Sequence, residues 1–209
     1  FKSFGTISKE IINKPFVLLY GENPSLIHEI ENNILIKIKE EKSFTIKKYQ
    51  EEYLIQNEDI FNQIINSNNL FEDDEIYIIS KTTDKILHIF NEEIAAQNNK
   101  KIVFLSENLT KKSKLRNLAE SSNYFACIAC YHDTPEQLQS LLIQKLKNMQ
   151  INVSREFINS LFEINSLNRQ DINDAVDKIL LIKKSSNIDE NKLKELFHSS
   201  TDNNNFEIV

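Results

Sequence analysis

The chain has 209 residues, of which 40% are apolar and 27% charged, a balance typical of a folded protein with one large domain or two small ones. Two glycines and three prolines exclude collagen-like and linker-rich architectures. The net charge of -6 gives the chain as a whole no reason to coat nucleic acid, although a local basic patch is compatible with it.

No apolar run approaches the length that a membrane span requires, so we expect no membrane partner. The first residues lack the charged-then-apolar pattern of a signal peptide, and the chain has only two cysteines. These features predict a cytoplasmic protein.

Five short runs, rich in Val, Ile, Phe and Tyr and bounded by polar residues, predict β-strands. They lie at 16–20, 44–49, 76–80, 102–106 and 125–130. Four of them are almost continuously apolar, as strands buried on both faces are, whereas 44–49 alternates as an edge strand does.

Helical patterns separate these runs. Asn23 can cap a helix that starts at Pro24, and further helices are predicted at 58–65, 84–96 and 111–120. Strands that alternate with helices predict an α/β fold with a parallel sheet covered on both faces. No strand pattern follows His132. The segment Thr134 to Gln137 opens the first of four helices, so we expect an α/β domain over 1–137 and a helical domain over 138–209.

The turn after the first strand lies where a nucleotide-binding fold holds phosphates. It is formed by Gly21, Glu22, Asn23 and Pro24. A phosphate loop needs a second glycine followed by lysine, but Leu26 and Ile27 occupy those positions. The third strand also ends without an acid that could hold magnesium. We therefore expect a degenerate nucleotide site, no cofactor and no intrinsic catalysis.

Cys127 and Cys130 form a C-x-x-C pair, but zinc needs four ligands and the chain has no other cysteine. The pair also falls inside a predicted strand, where a redox motif would need a helix N-terminus. We predict two buried core cysteines on opposite faces of the strand and no metal site. The four histidines are scattered and receive no catalytic role.

Two large apolar residues stand side by side between a predicted helix and an acidic turn. The segment is Ser67, Asn68, Asn69, Leu70 and Phe71, followed by four acids over 72–75. One face of a turn does not easily bury two adjacent side chains. From the residues alone, burial in the core and contact with a partner both stay open.

In order and spacing, the chain resembles the delta subunit of the bacterial DNA polymerase III clamp loader. The resemblance rests on five segments spread over nearly the whole sequence. They are FVLLYGENP at 16–24, NLF at 69–71, LTKKSKLR at 109–116, NRQDI at 168–172 and NFEIV at 205–209.

This resemblance implies an AAA+-type (P-loop NTPase-like) domain with a degenerate nucleotide site, followed by a small helical lid. It implies that Leu70 and Phe71, flanked by Ser67, Asn68 and Asn69, form a wedge that binds the sliding clamp and opens the ring for loading onto primed DNA. It further implies delta-prime and gamma/tau subunits as partners, membership of a DNA-directed DNA polymerase (nucleotidyltransferase) holoenzyme, and contact with DNA only within the loader. The family's C-terminal collar domain is expected to be absent from this chain.

Two features depart from the family pattern. Glu72 to Glu75 replace the glycine and basic residues that often follow the wedge, and such acids would weaken contact with an acidic clamp. Arg169 matches a phosphate-sensing arginine of active relatives, but without a phosphate loop we expect a surface residue at a helix start.

Two alternatives remain open. One is an AAA+ ATPase with an atypical phosphate loop, against which the missing glycine and lysine argue. The other is a structural subunit similar to delta-prime, which usually carries more zinc-binding cysteines and lacks the Leu-Phe wedge.

Overall fold

A computed structural model describes residues 9–41, 43–66, 74–97, 100–164, 166–183 and 189–202. The chain divides into two compact units, Phe1–Tyr131 and His132–Val209, so the division falls a few residues before the predicted boundary at 137. Residue 137 itself lies in the first helix of the second unit. Among the described residues, none of the helices is long and apolar enough to cross a membrane.

The first unit is built on a five-stranded parallel sheet. The strands are β1 Phe16–Tyr20, β2 Phe44–Gln50, β3 Asp74–Ser80, β4 Lys101–Ser106 and β5 Phe125–Ala129. They are ordered β2-β3-β4-β1-β5, with β1 paired to β4 and β5. All five predicted strands are confirmed, and β2 is an edge strand as its alternating pattern predicts.

Seven helical segments accompany this sheet in the part of the chain that the structure describes. They are α1 Lys9–Asn13, α2 Pro24–Glu41, α3 Glu51–Gln56, α4 Glu58–Asn66, a 3₁₀ helix Asp84–His88, α5 Glu92–Gln97 and α6 Lys114–Ser121. The helix predicted over 84–96 is two helices, because the Asn91 Oδ1 accepts hydrogen bonds from the Glu93 and Ile94 backbone N–H groups and starts a new one. Helix α6 begins later than predicted because Ser113 caps it.

The two faces of the sheet bury separate apolar clusters. Phe16, Leu18 and Phe104 belong to one cluster, whereas Val17 and Leu19 belong to the other. Successive residues of a strand point to opposite faces, so one continuous apolar run fills both clusters. A buried sheet of this kind fixes the positions of the turns at the carboxyl ends of its strands.

The second unit is entirely helical in its described residues. Its helices are α7 Pro135–Asn148, α8 Arg155–Ile164, α9 Arg169–Lys183 and α10 Glu190–Asp202. Thr134 and Gln137 form a capping box that starts α7. The unit has its own apolar core, in which Leu142, Leu161 and Phe197 are fully buried. The predicted change from an α/β to a helical character is confirmed.

Candidate functional site

The turn between β1 and α2 is the place where this fold would hold a phosphate. Gly21 has a φ of 146°, in the region that favours glycine, and a Cβ built on it would lie 2.1 Å from the carbonyl oxygen of Cys130. The Gly21 N–H donates to the carbonyl oxygen of Glu107 at 3.2 Å. The turn is therefore packed directly against the segments that follow β4 and β5.

Asn23 connects this turn to the segment after β5. It is 7% exposed, and its backbone N–H donates to the carbonyl oxygen of Cys130 at 3.1 Å. Its side-chain amide donates to the carbonyl oxygen of Tyr131 at 3.2 Å. Its Oδ1 accepts from the Leu26 N–H at 3.1 Å, which is the predicted cap of α2.

These hydrogen bonds occupy the backbone N–H groups that a bound phosphate would need. A phosphate loop binds its ligand through successive backbone N–H groups that are free to point at the anion. Here the N–H groups of Gly21, Asn23 and Leu26 already have acceptors within the protein. Internal hydrogen bonds therefore hold the turn closed, and a phosphate would have to break several of them to bind there.

The end of β3 offers no magnesium ligand. Ser80 donates its hydroxyl to the carbonyl oxygen of Tyr49, and Thr82 donates its hydroxyl to that of Ile79. The next acid, Asp84, accepts hydrogen bonds from the hydroxyl of Ser113 at 2.6 Å and from the start of α6. Burial favours the protonated form of Asp84, but these hydrogen bonds outweigh burial and lower its pKa. This carboxylate holds α6 in place.

Metal-binding clusters are also missing from the part of the chain that the structure describes, where no three His, Cys, Asp or Glu side chains gather. Cys127 lies in β5 and packs in one apolar cluster, while the buried Cys130 packs in the other. The prediction of opposite faces is thus confirmed, whereas the predicted burial holds for Cys130 and Cys127 is only partly buried. Burial raises the pKa of the Cys127 thiol to about 11, which disfavours the reactive thiolate.

Arg169 is not the surface residue that we predict from the sequence. Its guanidinium, only 3% exposed, donates to both carboxylate oxygens of Asp133, from Nε at 2.8 Å and from a terminal nitrogen at 2.5 Å. Asp133 is equally buried. The prediction fails because the partner lies 36 residues away in sequence, so no local pattern shows it. This bidentate ion pair lies within the second unit.

Replacing Arg169 with methionine should lower the free energy of unfolding by about 3 kcal/mol, because it leaves the Asp133 carboxylate buried without its counter-charge. Urea unfolding followed by circular dichroism measures this loss. The double variant Arg169→Met with Asp133→Leu should recover much of it, since apolar residues can replace a buried ion pair at little cost. A single variant as stable as the wild type would show that the pair contributes nothing.

The predicted wedge, Ser67 to Phe71, lies outside the described residues, as do Glu72 and Asp73. The structure describes the chain up to Asn66 at the end of α4 and again from Asp74 at the start of β3. The wedge and its contacts therefore stay predictions.

Glu75 is one of the four acidic residues that follow the predicted wedge, and it is not a free surface charge. Its side chain is 9% exposed, forms a salt bridge with Lys47 of β2 and accepts a hydrogen bond from the Tyr77 hydroxyl. Burial favours protonated Glu75, but the bonds from Lys47 and Tyr77 outweigh burial and lower its pKa. This acid is neutralised within the sheet, so it adds little repulsion toward an acidic partner.

No family model matches this chain, and no curated protein matches it. Solved structures do. The Bacillus subtilis DNA clamp loader delta protein matches 87% of this chain with a TM-score of 0.55 and 16% identity. AMPPCP-bound DnaA from Aquifex aeolicus matches 83% with a TM-score of 0.52 and 13% identity. Trip13 from Rhizobiales matches 91% with a TM-score of 0.53 and 13% identity.

This chain spans 57% of the Bacillus subtilis delta protein, 59% of the Aquifex aeolicus DnaA and 76% of the Rhizobiales Trip13. At such low identity the likeness shows the fold alone. The chain has an α/β fold of the AAA+ type with a small helical unit, as the sequence predicts. Its turn between β1 and α2 is closed by internal hydrogen bonds.

Proposed function

We propose that this AAA+-type chain is a non-catalytic subunit of a DNA clamp loader, of the delta type. The observation that carries the proposal is the closed turn at Gly21 and Asn23, whose N–H groups are bonded to the protein's own carbonyl oxygens. Such a turn removes the step by which AAA+ proteins hydrolyse nucleotide and keeps the scaffold. The fold shared with the Bacillus subtilis delta protein supports the same assignment at the level of architecture.

In this proposal Leu70 and Phe71 enter an apolar pocket on the sliding clamp, with Ser67, Asn68 and Asn69 beside them. Burying each of the two side chains contributes about 1.5–3 kcal/mol before the costs of binding. The ring opens if the wedge binds the open clamp interface more tightly than the closed one, so no hydrolysis by this chain is needed. Delta-prime and gamma/tau subunits complete the loader, and DNA meets this chain within it.

Gel filtration with the cognate clamp tests the proposed partner directly. We expect the chain and the clamp to elute together, and a synthetic peptide covering residues 66–74 to compete, since the wedge segment lies within it. Elution of two separate proteins over the whole concentration range would refute clamp binding. Co-elution that the peptide leaves untouched would place the contact elsewhere on the chain.

ATP should not bind to this chain. Isothermal calorimetry with ATP and magnesium should give no saturable heat up to about 1 mM nucleotide, because the phosphate-facing N–H groups are already bonded and no lysine follows the turn. The Aquifex aeolicus DnaA, which is known with bound AMPPCP, is the positive control. Saturable binding would instead favour the alternative, an AAA+ ATPase with an atypical phosphate loop.

A further inference from the structure

An apolar groove runs beside the edge strand β2, away from the closed turn. It has a volume of about 330 Å³ and lies between α2 and β2. Its walls are formed by Asn32, Leu35, Ile36, Lys39, Phe44 and Ile46. Ile36 is 56% exposed and Ile46 is 41% exposed, so two large apolar side chains face water beside it.

The outer side of β2 has no neighbouring strand among the described residues, because the sheet ends there. The strand is seven residues long and pairs with β3 along its other side. Its outward backbone N–H and C=O groups form a template to which another extended chain can add.

Edge strands are usually protected from such addition by lysines whose charges repel an approaching strand. Strand β2 carries two, Lys47 and Lys48, but both are neutralised within the protein. Lys47 forms a salt bridge with Glu75, and Lys48 forms one with Glu31 at 3.0 Å. The edge is therefore less protected than its sequence indicates.

The groove also has a charge preference. Lys39 is the one charged residue in its walls, and the structure gives its ammonium group no partner among the described residues. A partner segment with a carboxylate at that end would pair with Lys39, while a basic segment would be repelled.

We propose that β2 and this groove bind an extended, acidic and apolar peptide segment of a partner protein, which adds a strand at the sheet edge and places an apolar side chain between Ile36 and Ile46. A second copy of this chain fits less well. Its β2 strand, Phe44–Gln50, contains no acidic residue that could pair with Lys39. The inference goes beyond the clamp-loader function and does not depend on it.

Fluorescence polarisation with a short synthetic probe tests the proposal. The probe alternates valine and threonine and ends in two glutamates; its counterpart ends in two lysines. We expect saturable binding of the acidic probe and at least about tenfold weaker binding of the basic one. Methylating alternate backbone nitrogens of the acidic probe should abolish binding, because strand addition depends on main-chain hydrogen bonds.

Variants of the chain separate the parts of the proposal. Lys39→Glu should weaken binding of the acidic probe about tenfold and strengthen binding of the basic one. Ile46→Lys places a free charge on the edge strand and should abolish binding of the acidic probe. Ile36→Glu places a charge on helix α2 and should also abolish binding, without altering β2. Lys37→Glu is the matched control, since Lys37 lies on the same helix outside the groove walls. Circular dichroism confirms that each variant is folded.

Three outcomes of the binding experiments would overturn the proposal. They are no saturable binding of either probe up to about 1 mM, binding that Ile46→Lys and Ile36→Glu leave unchanged, and binding that survives backbone methylation. Sedimentation of the chain alone supplies the fourth. A dimer that Ile46→Lys dissociates would identify a second copy as the occupant.

Discussion

Replacing Leu70 and Phe71 together with alanine should lower the affinity for the cognate sliding clamp at least about 100-fold, with the fold retained. Each large apolar side chain contributes about 1.5–3 kcal/mol when fully buried in a partner pocket, so losing both removes more than the 2.8 kcal/mol or so that a 100-fold change requires. Surface plasmon resonance against immobilised clamp measures the affinity. The loss should appear mainly as faster dissociation, as is usual for interface variants.

The same double substitution distinguishes a clamp-binding wedge from residues that belong to this protein's own core. If the two side chains were part of this protein's core, the double variant would lose several kcal/mol of unfolding free energy, because each large-to-small core change costs about 2–5 kcal/mol. The matched control is Ile94→Ala with Leu181→Ala, two apolar residues that are 46% and 79% exposed elsewhere on the chain. Wild-type affinity in the wedge variant, or an equal loss in the control, would refute the assignment.

Gly21→Ala should destabilise the protein by about 4 kcal/mol or more. The residue has a φ of 146°, and the added Cβ would lie 2.1 Å from the carbonyl oxygen of Cys130 and 2.5 Å from its carbonyl carbon. These are backbone atoms and cannot rotate away, so β1 or the end of β5 has to move. Thermal unfolding followed by circular dichroism measures the effect, which we expect as a large fall in Tm or as an insoluble product.

Glu22→Ala is the neighbouring control for that experiment. Glu22 is exposed, and most surface substitutions change stability by less than about 0.5 kcal/mol. A Gly21→Ala variant as stable as Glu22→Ala would mean that the close approach of the turn to Cys130 does not exist in solution.

Much of the sheet could be predicted because each strand is a short apolar run between polar residues. In β1, all five residues from Phe16 to Tyr20 are buried, and the sequence alone indicates burial on both faces. Helix α3 was not predicted. It has only six residues, and its N-cap residue, Gln50, makes no side-chain capping bond that a sequence pattern could indicate. Tertiary contacts decide such short helices more than local propensity does.

The candidate site could also be predicted only in part from the sequence. The missing glycine and lysine are local features, so the loss of a phosphate loop follows from Leu26 and Ile27. What closes the turn does not follow from the sequence, since Asn23 and Tyr131 are 108 residues apart and meet only in the folded sheet. The neutralisation of Glu75 by Lys47 on the adjacent strand was hidden for the same reason.

The turn at Asn23 should keep its shape when the concentration of nucleotide in the cell changes. Its shape is set by covalent chain and internal carbonyl groups, which are always present at full occupancy. A nucleotide-filled turn, in contrast, loosens whenever its ligand becomes scarce. The shape of the turn at Asn23 therefore does not depend on bound nucleotide.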